Sequence, residues 1–168
     1  SDRMKSSGLH PVFVAGQRVT DPESMRIVEA VLDGVINPNL VSTINDFGGR
    51  ASGLSGKSVF AARRQPPARL ASGESVDLGL VGEVERVELG TINELLHAEH
   101  VPVVSPLGAD PVGPALNINA DLAASALATA LRAAKLIYLS DVPGVLRDPS
   151  QPASLISTID FATGNRLI

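Results

Sequence analysis

Cysteine is absent from all 168 residues. That removes disulfides and thiolate metal ligation, and it leans toward a cytoplasmic protein. No block of five like charges occurs either. With 14 basic residues against 18 acidic ones and a net charge of −4, the electrostatic footprint of a nucleic-acid binder is missing, and no nucleic acid is expected as a partner. No apolar run approaches the roughly 20 residues of a membrane span. Ser1-Asp2-Arg3-Met4-Lys5 is not followed by the apolar core of a signal peptide, so neither membrane nor export is expected.

The usual catalytic constellations are missing as well. His10, His97 and His100 lack metal-ligand spacing and read as surface or structural residues, so no metal site is expected among side chains. There is no Gly-x-Ser-x-Gly elbow, and Ser105 and Ser140 have no evident partner base, which argues against a hydrolase triad. Gly56-Lys57-Ser58 resembles the end of a phosphate loop, but the first glycine of that pattern would fall at Ala51, and Val59-Phe60-Ala61 reads as strand rather than helix. Without a phosphate loop, Asp141-Val142-Pro143-Gly144 does not stand as a nucleotide-triphosphatase switch.

What is present suits a packed α/β domain. The chain is 44% hydrophobic and 19% charged, and a chain of this length buries roughly 70% of its unfolded surface. Residues 12–14 form a short apolar strand. Asp21, Pro22 and Glu23 start a helix by capping, by fixed φ and by the dipole. Its apolar face is Ile27, Val28, Val31 and Leu32. Asn37-Pro38 signals a second helix, which Gly48-Gly49 ends. Residues 62–75 read as a surface loop. Residues 76–87 read as a β-ribbon with a turn at Gly79 and Gly82, 91–99 as a short helix and 101–104 as a buried strand. A helix from Asn119 to about Ala134 is expected to bury Leu122, Ala126, Leu127, Ala130 and Leu131, and its alanines raise helicity. Residues 135–140 complete the pattern as a further strand of a mostly parallel sheet. Residues 1–9 and the Arg166-Leu167-Ile168 end both read as parts of interrupted helices, as in a piece of something longer.

Polar residues cluster where the backbone changes direction, at Asn117-Ile118-Asn119-Ala120-Asp121 and at Ser140-Asp141-Val142-Pro143-Gly144. Such turns are where α/β proteins hold ligands. Arg18 follows Gly16 between a strand and a helix start, so its guanidinium suits either a bidentate carboxylate or a surface ion pair. Asn117 and Asn119 equally suit turn formation, and Asp121 suits the first turn of a helix.

Five segments together are more specific than any one alone: Gly16-Gln17-Arg18-Val19-Thr20-Asp21, Gly53-Leu54-Ser55-Gly56-Lys57, the stretch from Asp77 to Val84, Asn117 to Asp121, and Ser140 to Leu146. In this order and rough spacing the chain resembles the acetylglutamate kinases of the amino-acid kinase family over nearly its whole length. The resemblance implies a three-layer αβα sandwich with a mostly parallel central sheet, incomplete here, in a single domain fragment over 1–168. Residues 1–134 would be mainly the acyl-amino-acid part, and 135–168 the start of the nucleotide-binding part.

It further implies phosphorylation of the γ-carboxylate of N-acetyl-L-glutamate by ATP, a step of arginine biosynthesis, with Mg2+ held mainly through the nucleotide phosphates, in a cytoplasmic homodimer. Arg18, Asn117 and Asn119 would bind substrate, Asp121 would be catalytic by orienting lysines, and Ser140, Asp141, Val142, Gly144 and Leu146 would bind nucleotide. The ribbon from Asp77 to Val84 would be a lid. Gln17 stands where the family commonly has leucine, and residues 58–67 are short for the family. Its phosphate-binding glycine turns and catalytic lysines would lie outside these residues, so the chain alone is expected to be nearly inactive. Alternatives are a non-catalytic acyl-amino-acid-binding or regulatory module, and a related carboxylate kinase acting on aminoadipate or glutamate.

Overall fold

The computed structural model describes residues 13–14, 17–70, 72–140, 142, 144–148 and 150–167. The expectations for residues 1–9, His10, Gly16 and Asp141 lie outside them. Two compact units divide the chain, residues 1–136 and 137–168.

The first unit opens with an antiparallel pair, β1 (Phe13–Val14) and β2 (Gln17–Arg18). Helix α1 (Pro22–Val31) starts as the residues dictate. The Asp21 side chain accepts from the Ser24 backbone N–H at 2.7 Å, Pro22 occupies the first turn, and Glu23 follows. The Ser24 amide holds the Asp21 carboxyl below the usual carboxylate range. Asn37-Pro38 does not begin a separate helix. A π-helical turn, Leu32–Ile36, carries α1 directly into α2 (Asn37–Asp46). The wider turn accommodates a proline that lacks the N–H for a regular ladder and whose ring would crowd the carbonyl four residues back. The joined helix Pro22–Asp46 runs 25 residues and by length and composition alone could cross a membrane, although Glu23, Arg26, Glu29 and Asp33 interrupt its apolar residues. In the fold its Met25, Val28 and Leu32 pack on the core.

Gly48 adopts φ +83° and ends α2, with Gly48 and Gly49 N–H groups returning to the Asn45 and Ile44 carbonyls. The chain then enters β3 (Ala51–Leu54), which pairs in parallel with β8 (Val101–Val104). A four-stranded sheet has the order β4 (Phe60–Arg64), β7 (Val81–Val87), β10 (Leu116–Ile118), β9 (Leu107–Gly108). Its central pair, β7 and β10, is parallel; β4 and β9 flank it antiparallel, with a bulge in β4 between Ala61 and Ala62. A small hairpin, β5 (Ala68–Arg69) with β6 (Ser75–Val76), lies between β4 and β7 in sequence. Helix α3 (Gly90–His97) precedes β8, and helix α4 (Ala120–Ala130) follows β10. The core is built from Val59, Phe60, Ala62, Leu80, Ile92, Leu107, Leu116, Ile118 and Ala123, with Leu127 and Leu131 packed against it.

Other expectations change. Residues 62–64 belong to β4 rather than to a loop, because the partner that orders them, β7, is distant in sequence. In the stretch from Asp77 to Val84, Leu78, Leu80 and Val81 are buried, and Gly82 sits in the sheet against Leu116, so the ribbon is built into the core. Residues 135–140 form no strand and pair with none of the described strands, so Leu139 is 96% exposed. An apolar run gains nothing from extending unless a neighbour takes up its backbone groups. Leu122 is likewise on the exposed side of α4, and Ala123 takes the buried position.

In the second unit, Leu146 and Leu155 bridge antiparallel, and the Ile156 N–H donates to the Val145 carbonyl at 2.9 Å. Helix α5 (Phe161–Leu167) starts at Asp160, which accepts from the Thr163 N–H at 2.6 Å. That amide lowers the Asp160 carboxyl below its usual range.

Candidate active site

Asn117 is the middle residue of β10, aligned with Val81 of β7 and Leu107 of β9. Its Nδ2 donates to the Thr20 hydroxyl at 3.2 Å, across 97 residues of sequence. Thr20 is fully buried, and its Oγ1 donates to the Arg18 carbonyl at 3.0 Å. The backbone fixes the same junction. The Thr20 N–H donates to Leu78 O, the Leu80 N–H to Thr20 O, and the Asn117 N–H to Leu80 O. Gly79, at φ +74°, lies where a Cβ would strike the Thr20 carbonyl, so glycine is required there. Arg64 fastens the turn by donating to Gly79 O at 2.6 Å and lying 3.8 Å from the Asp77 carboxylate, while Asp77 caps the Gly79 N–H.

Arg18 is half-buried, with its guanidinium carbon 4.9 Å from the centroid of the Phe13 ring, a cation–π distance. Arg18 and Asn117, expected together from sequence, are thus joined through Thr20. Sequence reasoning gave Thr20 no role; its place between Arg18 and Asp21 was the only available signal.

At the end of β10, Asn119 caps α4, its Oδ1 accepting from the Asp121 and Leu122 N–H groups at 2.9 and 3.2 Å. The cap thus uses the oxygen end of the amide. Asp121 lies exposed in the first turn of α4, where the helix dipole favours a negative charge. The Arg18 backbone, the Asn117 amide and the α4 N-terminus meet at one sheet edge, the kind of place where α/β proteins hold ligands.

Gly56-Lys57-Ser58 is a 3-10 turn. Gly56 is there because a Cβ would run into the Ser105 and Leu107 carbonyls, and its N–H donates to the buried Ser105 hydroxyl at 2.9 Å. Lys57 pairs with Glu29, and that hydrogen bond raises the lysine above its ordinary value. The Gly56 N–H and the Lys57 ammonium of this turn are thus engaged within the chain.

Within the second unit, the Ser140 hydroxyl accepts from the Val142 N–H at 3.3 Å, Gly144 takes φ +136° beside Leu155, and Leu146 forms the bridge to Leu155. Val142 and Val145 are 60% and 51% exposed. Among the described residues no group of three or more His, Cys, Asp or Glu could hold a metal ion.

An acetylglutamate kinase from Moorella thermoacetica is 47% identical over 165 residues, covering 96% of this chain and 56% of that relative. Another, from Methanothermobacter thermautotrophicus, is 47% identical over 166 residues, covering 95% of this chain and 57% of the relative. The chain therefore spans about half the length of these curated relatives. Among solved structures, the Streptococcus mutans UA159 protein smu.665 superposes with a TM-score of 0.75 at 31% identity, over 86% of this chain and 57% of its own. N-acetylglutamate synthase from Neisseria gonorrhoeae, complexed with coenzyme A and N-acetyl-glutamate, gives 0.69 at 25% identity over 88% of this chain and 33% of its own. With the amino acid kinase family model matching residues 1–166, on an α/β core that brings Arg18 and Asn117 to one junction, this chain belongs to the amino acid kinase family.

Proposed function

We propose that this chain carries the acyl-amino-acid site of an acetylglutamate kinase, which transfers a phosphoryl group to the γ-carboxylate of N-acetyl-L-glutamate. The observation that carries the reading is the buried Thr20 junction, which unites the Arg18 and Asn117 segments at one sheet edge. Arg18 and Asn117 grip the α-carboxylate, which leaves the side-chain carboxylate to be aimed. A carboxylate is a nucleophile at neutral pH without a general base, so alignment and positive charge are what the site must supply. This accounts for the lack of any His-based or Ser-based constellation. Asn119 offers its remaining amide donor at the α4 N-terminus, and Asp121 orients cationic side chains there.

When bound, ATP with Mg2+ supplies the phosphoryl group. Ser140, Asp141, Val142, Gly144 and Leu146 are the residues that would hold the nucleotide, with the cation bound through its phosphates. The division of the chain near residue 136 supports assigning 1–134 mainly to the acyl-amino-acid part and 135–168 to the start of the nucleotide part. A cytoplasmic homodimer belongs to the same reading. Ile36, Leu40 and Phe47, which are 45%, 50% and 90% exposed along α1–α2, support a second copy.

Calorimetric titration with N-acetyl-L-glutamate tests the reading. Arg18→Ala and Asn117→Ala are each expected to weaken binding about ten-fold or more, as loss of a charge-assisted or buried hydrogen bond does. Equal affinity in both variants, or no heat at millimolar ligand in the parent, overturns it. Glutamate and aminoadipate as competitors separate the related carboxylate kinases. A second reading, a non-catalytic acyl-amino-acid-binding module, is favoured by the synthase neighbour complexed with N-acetyl-glutamate; ligand binding without ATP turnover by the whole protein would select it.

A further inference from the structure

Thr20 holds one proton on its hydroxyl. That proton is committed to the Arg18 carbonyl at 3.0 Å, so toward Asn117 the oxygen can only accept, and only the NH2 end of the amide can meet it, at 3.2 Å. Turning the Asn117 amide over would set its Oδ1 against the Thr20 lone pairs unless the hydroxyl abandoned Arg18 O. Thr20 is fully buried and Arg18 and Asn117 are half-buried, so either outcome gives up a hydrogen bond that the present arrangement makes. Nor can Thr20 drift away. Leu80 donates its N–H to Thr20 O and receives the Asn117 N–H on its own carbonyl, while Thr20 N–H is held by Leu78 O.

We infer that Thr20 is a positioning residue that locks the Asn117 amide in one orientation, so that it presents a single N–H and its Oδ1 carbonyl to the ligand. The inference rests on the proposed function. A ligand matching this fixed pair carries a carboxylate oxygen to accept the N–H and, on the adjacent carbon, an N–H to donate to Oδ1. An N-acyl amino acid has both. Its ester counterpart, with oxygen in place of the amide nitrogen, sets a lone pair against Oδ1. Thr20 thereby gives the site a preference for the amide, although it need not touch the ligand.

The test compares N-acetyl-L-glutamate with 2-acetoxyglutarate by calorimetry on the full 168-residue chain and on Thr20→Ser, Thr20→Val and Thr20→Ala. The parent and Thr20→Ser, which keeps the hydroxyl, are expected to prefer the amide ligand by about ten-fold. The hydroxyl-free variants are expected to lose most of that preference, because the Asn117 amide can then turn. Thr20→Ala supplies a second hydroxyl-free protein if Thr20→Val fails to fold. A hydroxyl-free variant that folds and keeps the parent's ratio overturns the proposal. NMR of the Asn117 side-chain amide, assigned with Asn117→Asp, reads the lock without ligand. Its two proton shifts should move and lose protection from exchange in Thr20→Val or Thr20→Ala and persist in Thr20→Ser; unchanged shifts overturn the lock. If the parent binds neither ligand, the proposed function and the positioning role for a substrate both fall, while the amide spectrum still decides the lock.

Discussion

Asn37 holds two strands with one amide: its Nδ2 donates to Val103 O at 2.8 Å and to Leu54 O at 3.3 Å, and its Oδ1 lies against Gly53. Asn37→Ala strands two carbonyls at the ends of β3 and β8, and Asn37→Asp turns the donors into acceptors. Urea denaturation should show a loss of about 1–3 kcal/mol for the alanine and a larger one for the aspartate at neutral pH. The sequence pointed to Asn37 as a helix cap, but what its side chain reaches is set by strands 17 and 66 residues away. Asp21 is the opposite case, a cap readable from its neighbours alone. Asp21→Ala should cost about 1 kcal/mol at neutral pH. Because the folded carboxyl is depressed by the Ser24 amide, its stabilisation is complete above the unfolded carboxylate value and is lost as pH falls through the folded one. Parent and variant should therefore converge in melts carried out in acid.

At the scale of elements, glycines separate close approach from mere flexibility. Gly56→Ala forces a Cβ into the Ser105 and Leu107 carbonyls, and both are backbone that cannot swing aside. Thermal melts should show a loss well above that of an ordinary surface change. Gly34 lies in the π turn with nothing near its Cβ position, so Gly34→Ala should stabilise by about 0.4–1 kcal/mol through the unfolded chain. Starts and stops with local chemistry were legible, namely Asp21-Pro22 at α1, Gly48-Gly49 after α2 and Asn119 at α4. Elements that depend on a remote partner were not. Residues 62–64 carry two arginines and read as loop, yet pairing with β7 makes them strand, while residues 136–139 read as strand and form none.

For the whole molecule, the core cluster and the side chains packed on it run from Met25 to Leu131, all within the first unit. Hydrogen exchange followed by mass spectrometry should therefore find the slowest amides in β4, β7 and β10, and fast exchange from residue 136 through residue 140. Uniform protection along the chain would contradict that division. The sequence by itself determined the α/β class, the caps at Asp21 and Asn119 and the segments that matter, because capping, turn chemistry and apolar period act over a few residues. It also named Arg18 and Asn117, through the combination of motifs rather than through either residue's spacing. Only the tertiary structure decided that a buried threonine joins them, that residues 81–84 belong to a central strand, and that Gly56 and Lys57 serve packing and an ion pair. Those outcomes hinge on hydrogen bonds and close contacts between segments tens of residues apart, which no local pattern encodes.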